Sequence, residues 1–310
     1  MIIVIGGTGF IGKHLSVGLH TGKIKSLSVS RSPDAAFLIK NAPSSVPVEI
    51  SELSSESNLA AIKSATALVY LASNSVPSSP KNCIISEWRS NVRPAIENIT
   101  KIQAINPRIR VIYLSSGGTV YGPNHSTPIS ENSQLLPVTP YAYGKIAIEN
   151  YLKFLSQTSE SSYTILRVAN PVGHWHKNLS QGFVNAAIAN IKAGVPITIF
   201  GNGENIRDYV DVDEVCEAII MISENLEESK NKTWNVGSGS GSSLNQIIDE
   251  LKTLSNSAIT INKLPKREGD LEYNVLDCRK IHSELGWQAQ LNLTKIIEKS
   301  WKKNHHSTPN

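Results

Sequence analysis

The sequence predicts an α/β chain: a Rossmann-type, doubly wound parallel sheet with a smaller C-terminal α/β lobe. Three observations carry this. The chain opens on an apolar run that ends in a glycine loop and turns at once into a helical pattern. Strand-like apolar runs then alternate with helical patterns as far as residue 170, as expected of parallel strands joined by crossover helices. Beyond 170 the alternation loosens into longer helices separated by short strands and loops.

Ile2-Ile-Val-Ile5 reads as a buried parallel strand, and Gly6-Gly-Thr8-Gly9-Phe10-Ile11-Gly12 leads from it into a helix that begins Lys13-His-Leu-Ser. Gly6 permits the tight turn, Gly9 the close approach of a pyrophosphate, and Gly12 the packing of helix on strand. The helix N-terminus adds amide donors and a positive dipole end. Dinucleotide binding is therefore expected. The second strand, 26–30, ends about 20 residues beyond the loop, where a ribose-reading acid is expected. Ser30-Arg31-Ser32 stands there instead. An arginine beside small hydroxyls suits a 2′-phosphate and leans toward NADP, whereas a solvated Arg31 with Asp34 bent back to the ribose is the alternative.

Further strands are read at 46–50, 67–72, 110–114 and 163–167, with helices at 59–63, 90–104 and 141–158. Later helices are read at 181–193, 212–223 and 244–255. The expected division is 1–170 for the dinucleotide-binding domain, which holds the catalytic Tyr and Lys, and 171–310 mainly for a substrate lobe, some of whose segments return to the sheet. The fifth strand runs into Ser115-Ser116-Gly117-Gly118-Thr119, and Thr139-Pro-Tyr141-Ala-Tyr-Gly-Lys145 opens the following long helix. Tyr141 and Lys145 then lie one turn apart on one face. A neighbouring ammonium favours the phenolate and lowers the tyrosine pKa from its reference near ~10. Tyr141 is thus the expected acid/base at a carbinol oxygen. The bland alternative for this spacing is a core aromatic with a lysine snorkelling beside it.

The 310 residues are 40% hydrophobic with a net charge of +4, ordinary for a soluble globule. Basic residues form no run apart from Lys302-Lys303, so neither nucleic acid nor an anionic membrane is an expected partner. No charged leader precedes an apolar segment, and no stretch approaches the ~20 apolar residues of a membrane span. A cytoplasmic location is expected. Cys83, Cys216 and Cys278 are odd in number, widely spaced and without metal-ligand partners. Reduced core thiols and no metal site are expected.

Over nearly its whole length the chain resembles the extended short-chain dehydrogenases/reductases of the NAD-dependent sugar-nucleotide epimerase and dehydratase family. The matching segments are Gly6 to Gly12, Ser115-Ser-Gly-Gly-Thr-Val-Tyr-Gly122, Tyr141 to Lys145, Arg167-Val-Ala-Asn-Pro-Val-Gly173, Phe200-Gly-Asn-Gly-Glu-Asn-Ile-Arg-Asp-Tyr209, Arg267-Glu-Gly-Asp270 and Leu285-Gly-Trp287. The resemblance implies that Tyr141 is the base and acid and that Lys145 holds the nicotinamide ribose. It implies cofactor contacts at Gly6, Thr8, Gly9, Phe10, Ile11, Gly12, Leu71 and Ala72, with Glu52-Leu53 near the adenine. It places Asn170, Arg207 and Arg267 at the substrate's diphosphate, Asp270 at the nucleoside and Asn274 near the sugar's C2 substituent. A homodimer formed through helices ending near 104 and beginning near 141 is also implied.

Two departures bear on the reaction. The family's proton-relaying Ser or Thr falls at Gly117, which leaves Ser116 and Thr119 as the nearest hydroxyls. A dehydratase carries an acidic pair just after that position, and Gly117-Gly118-Thr119 has none, so dehydration is disfavoured. The second departure is the missing acid at Ser30. Epimerases of the family use NAD, while Ser30-Arg31 suits NADPH, so the cofactor is read as NAD(P). The resemblance implies a nucleotide-sugar 4-epimerase acting on a UDP-hexose or UDP-N-acetylhexosamine through a transient 4-keto intermediate. The alternatives are an NADPH-dependent reductase of a 4-keto-6-deoxy nucleotide sugar and a nucleotide-binding or scaffold protein without turnover.

Overall fold

The β-branched run that opens the chain becomes the middle of the molecule. The computed structural model describes residues 1–77, 83–123, 125–175, 182–256, 258–267 and 270–303. In chain order, β1 (Ile2–Ile5), α1 (Phe10–Thr21), β2 (Ser26–Ser30), α2 (Ala35–Asn41), β3 (Ser45–Glu49), α3 (Glu56–Ser64) and β4 (Ala67–Tyr70) build the first half of the sheet. Then come α4 (Ile84–Glu87), a π-helical turn at Trp88–Val92, α5 (Arg93–Ile105), β5 (Arg110–Ser116), α6 (Pro140–Thr158) and β6 (Ser162–Val168). The expected helix at 90–104 is thus two pieces, and α2 and α4 are additions to the sequence reading.

The chain continues through β7 (Asn170–Val172), α7 (Phe183–Lys192), β8 (Ile197–Phe200), β9 (Ile206–Asp211), α8 (Val212–Glu224) and β10 (Lys232–Val236). It ends with β11 (Gly241–Ser243), α9 (Leu244–Ser255), β12 (Ile261–Leu264), β13 (Tyr273–Asn274), α10 (Arg279–Leu285) and α11 (Leu293–Lys303). The helix expected at 181–193 is α7, and residue 181 lies outside the described residues.

Seven parallel strands pair in the order β10-β6-β5-β4-β1-β2-β3. Alternate residues of β1 enter two cores: Ile2 and Val4 join Leu15, Leu19, Val215 and Trp234 on one face, and Ile3 and Ile5 join Ile62, Ile99 and Ile148 on the other. The period-2 alternation of a strand buried on both sides accounts for this. The order reverses between β1 and β4, and ligands of such sheets lie beyond the carboxyl ends of the strands at that reversal. β7, β9, β11 and β13 form a second small sheet. Its neighbours α7, α9 and α11 close a third core around Ile188, Ile247, Leu251 and Ile297.

Among the described residues no helix is long and apolar enough to cross a membrane. The expectation of core thiols fails for Cys83, which is exposed, while Cys216 is buried and Cys278 half-buried. Cys83 sits at the N-cap of α4, where its sulfur accepts from Ser86 N at 3.4 Å.

One buried ion pair ties α6 to the sheet. Glu149 (0% exposed) accepts from Arg167 Nη2 at 2.7 Å and Nε at 3.2 Å, and from Ser115 Oγ at 2.5 Å. Arg167 Nη1 also donates to Tyr121 Oη at 3.0 Å. Removing one partner of such a pair strands a buried charge, which costs about 3–5 kcal/mol. Glu149→Gln is therefore expected to lower unfolding stability by about that amount, measured by urea titration. A Glu149→Met, Arg167→Met double variant is expected to lose much less.

Candidate active site

The glycine loop has the geometry its spacing implied. Gly6 adopts φ +90°, and a Cβ there would lie 2.8 Å from Ala72 N; on Gly12 it would lie 2.1 Å from Gly6 O. Only glycine lets β1 turn and α1 seat directly on the loop backbone. Gly9 is the N-cap of α1, with no side-chain cap and no acid in the first turn. Its first-turn amides and dipole end therefore suit an anionic group.

Thr8 Oγ1 donates to Ser30 Oγ at 3.0 Å, joining the loop to the end of β2, and Arg31 is exposed beside it. Asp34 caps α2 through Phe37 N at 3.1 Å and accepts from Lys13 Nζ at 2.6 Å. Leu71 and Ala72 are half-buried just beyond β4, with Leu71 N donating to Ile5 O at 2.9 Å. In the short 3₁₀ turn after β3, Glu52 is exposed and Leu53 is buried.

At the carboxyl end of β5, α6 presents Tyr141 and Lys145. Thr139 caps this helix through Ala142 N at 3.2 Å, and Pro140 occupies its first turn, a favourable start for a helix. The Ser116 side chain acts on the Tyr141 phenol and favours its charged form. Lys145 Nζ donates to Leu114 O at 2.9 Å and lies 5.5 Å from the centroid of the Tyr141 ring.

The expected lowering of the Tyr141 pKa by Lys145 is not met. Burial pushes the phenol up to about 12; Ser116 works against this, and the carboxylate of Glu87 adds to it. Burial also draws Lys145 down to about 8, opposed by Glu87 and Glu149. Depth in the fold outweighs the charge pairing that the spacing suggested.

Of the two hydroxyls expected near the reacting oxygen, Ser116 meets Tyr141, whereas Thr119 Oγ1 turns to Ser116 O at 3.5 Å. Gly117 has no room for a side chain, since a Cβ would lie 2.5 Å from Leu276 Cδ1 and 2.9 Å from Arg167 O. Gly118 has room for a Cβ, which would make ordinary contact with Asn170 Oδ1 at 3.9 Å and Ser116 Oγ at 4.0 Å.

The small sheet collects the remaining candidates. Asn170 is in register with Tyr209, and Asn274 with Arg207. Because Arg207 and Tyr209 are two apart on β9, all four side chains leave the same face. Asn170 Nδ2 donates to Asp208 O at 2.8 Å, and Asn274 Nδ2 donates to Gly117 O at 3.2 Å. Asp208 does not pair with Arg207; it accepts from Ser238 N and Oγ, Gly239 N and Leu276 N. Arg207 feels Asp270, while burial lowers its pKa. The Arg267 guanidinium lies 3.5 Å over the Phe200 ring. Glu268 and Gly269, between Arg267 and Asp270 in the resemblance, lie outside the described residues.

A sequence model of the NAD dependent epimerase/dehydratase family matches residues 2–237. The chain belongs to this family. It is 27% identical to dTDP-4-dehydro-6-deoxyglucose reductase of Escherichia coli, over 96% of this chain and 95% of that one. It is 28% identical to a putative UDP-glucose 4-epimerase of Methanocaldococcus jannaschii, over 99% and 100% respectively. The crystal structure of UDP-glucose 4-epimerase from Thermotoga maritima, with UDP-glucose, matches with a TM-score of 0.84 at 26% identity, covering 98% of each chain.

Membership of the NAD dependent epimerase/dehydratase family makes the chain an NAD(P)-dependent sugar-nucleotide enzyme, and the loop at Gly6, Gly9 and Gly12 fits the dinucleotide. Two residues of the site escape a reading of the sequence. Glu87 reaches it from α4, and Leu276 seals Gly117; neither contact leaves a signal in local spacing.

Tyr141→Phe removes only the phenolic oxygen, and a general acid/base contributes ~10²- to 10⁴-fold. Turnover is expected to fall by at least about 100-fold with dinucleotide affinity close to wild type, as read by steady-state kinetics and calorimetry.

Proposed function

We propose that the chain is a nucleotide-sugar 4-epimerase. The observation that carries this reading is the placing of Tyr141 at the end of β5, with Ser116 acting on its phenol and Lys145 one turn along α6. Tyr141 takes the proton of the C4 hydroxyl and later returns it, with Ser116 holding the same oxygen. The bound nicotinamide supplies the hydride acceptor and donor. Arg207 and Arg267 hold the diphosphate, a task suited to guanidinium forks, with Asn170 beside them and Asp270 at the nucleoside. Binding energy from this remote part retains the 4-keto sugar while it turns. The absence of an acid at 117–119 argues against dehydration, and the T. maritima and M. jannaschii names favour a UDP-hexose.

Asn274 extends the reading to 2-acetamido sugars. Its Nδ2 is committed to Gly117, but its Oδ1 is buried with no partner among the described residues. A buried acceptor of this kind is costly unless a donor reaches it, and an acetamido N–H is such a donor. Turnover of UDP-glucose and UDP-N-acetylglucosamine is expected without net change at 340 nm, and Asn274→Tyr is expected to lower kcat/KM for the acetamido sugar preferentially. An unchanged ratio removes Asn274 from the site.

The second reading, an NADPH-dependent 4-keto sugar reductase, is favoured by the Thr8–Ser30 pair with Arg31 exposed beside it and no acid at the end of β2. The E. coli relative points the same way. Stoichiometric loss of 340 nm absorbance with a 4-keto substrate selects this reading. Dinucleotide binding without turnover of either substrate type selects the binding-protein reading.

A homodimer accompanies the proposal, in a cytoplasmic setting where the three cysteines stay reduced. Ile84, Ile85, Trp88, Tyr143 and Phe154 are all 45–59% exposed. Tyr143 and Phe154 are eleven residues apart on α6 and thus on one face, and α4 packs on that helix. Clustered exposed apolar side chains mark an association surface. Sedimentation is expected to give a dimer for the wild type and a monomer for a Trp88→Asp, Phe154→Asp variant.

A further inference from the structure

Glu87 closes α4 and is 2% exposed. A carboxylate is rarely buried without partners. Asn91 Nδ2 donates to Glu87 Oε1 at 2.9 Å and reaches Ser75 Oγ at 2.8 Å, while Asn91 Oδ1 accepts from Asn74 N at 2.6 Å. Glu87 therefore ends a polar line that starts in the loop after β4. Its other side lies against α6, where a Cβ on Gly144 would sit 2.8 Å from both Glu87 Oε1 and Cγ. Gly144 stands between Tyr141 and Lys145 inside a 19-residue helix, a position where glycine is unfavourable. Its missing side chain is what lets the carboxylate reach this depth. The π-helical turn that follows Glu87 carries Asn91, and such irregularities recur at functional sites.

We propose that Glu87 is a positioning residue of the acid/base site, its carboxylate holding the Lys145 ammonium in the charged form beside Tyr141. This rests on the reading of Tyr141 and Lys145 as the acid/base pair. Lys145 donates to Leu114 O on β5 and lies 5.2 and 5.5 Å from the ring centroids of Tyr113 and Tyr141, and the charges of two carboxylates act on it, Glu87 from α4 and Glu149 from its own helix. Glu149 is balanced by Arg167 at 2.7 Å. Burial favours the neutral amine and Glu87 opposes it more strongly than Glu149 does. A negative charge favours the protonated form of both Lys145 and Tyr141, so removing it moves both titrations to lower pH.

The test titrates Lys145 in the ligand-free protein by NMR of 13C-labelled lysine, with the resonance assigned from a Lys145→Arg spectrum. In Glu87→Gln the midpoint is expected to fall by about one pH unit from its wild-type value. Glu87→Asp, which keeps the charge, is expected to stay close to wild type. The pH–rate profile of Glu87→Gln is expected to move to lower pH, whereas a merely structural residue would lower its height and leave its position. An unmoved Lys145 midpoint in Glu87→Gln overturns the proposal. Should that variant not fold, Gly144→Ala, which pushes the carboxylate off α6, is measured with the same expected direction. An unmoved midpoint there overturns it equally. Because the NMR titration needs no substrate, its outcome is independent of which sugar reaction the enzyme performs.

Discussion

The structure depends on the buried contact between Glu149 and Arg167. Tyr141, Lys145 and Glu149 follow one another at intervals of four on α6, so the helix is anchored by its third member and presents its first, the proposed acid/base, at the end of β5. Glu149 grips Ser115 and Arg167, on β5 and β6. Arg167 passes the constraint to Tyr121, whose hydroxyl donates to Asn235 on β10 at 2.6 Å. Ser116 and Asn170, placed at the reacting oxygen and at the diphosphate in the proposed mechanism, lie one residue beyond Ser115 and three beyond Arg167. An isolated buried ion pair is weak as a source of stability. Here its geometric reach matters more: two strands and one helix meet at a single carboxylate–guanidinium contact, and a third strand is tied to it through Tyr121.

Burial sets the electrostatics of the site more than pairing does. A tyrosine and a lysine at helical spacing suggest mutual stabilisation of their charged forms, yet both are deep enough that desolvation dominates, and the charged form is disfavoured in each. The small sheet shows a related separation. Arg207 and Asp208 are adjacent in sequence but leave opposite faces of β9, so Asp208 satisfies four donors at the back while Arg207 remains available at the front.

The glycine loop and α6 are legible because their signals are local: a strand, three spaced glycines and a capped helix declare themselves within a few residues. Helix α2 is harder to see although Asp34 caps it, because a Ser-Pro-Asp stretch beyond β2 suggests ribose chemistry as readily as a helix start. The break in the helix at 90–104 is invisible because a π turn shifts the 3.6-residue period on which such a reading relies. Gly117 stands out in the sequence as a departure, but its cause lies at Leu276 and Arg167, far along the chain. Glu87 is likewise hidden, since its meeting with Gly144 depends on how α4 packs across α6.

The return of the chain for β10 orders events at the ribosome. β6 pairs with β10 along its outer edge, register for register from Thr164 to Val168. The intervening polypeptide, Ala169 to Asn231, must be synthesised before that edge strand exists. Until then β6 presents unpaired amides and carbonyls, the template on which strands of other chains add. Trp234, fully buried in the finished protein, arrives with β10 and caps the core over that edge. The nascent chain is thus most vulnerable to mispairing while the segment from β7 to α8 is being made, and the strand that ends this interval completes the hydrogen-bond ladder of the large sheet.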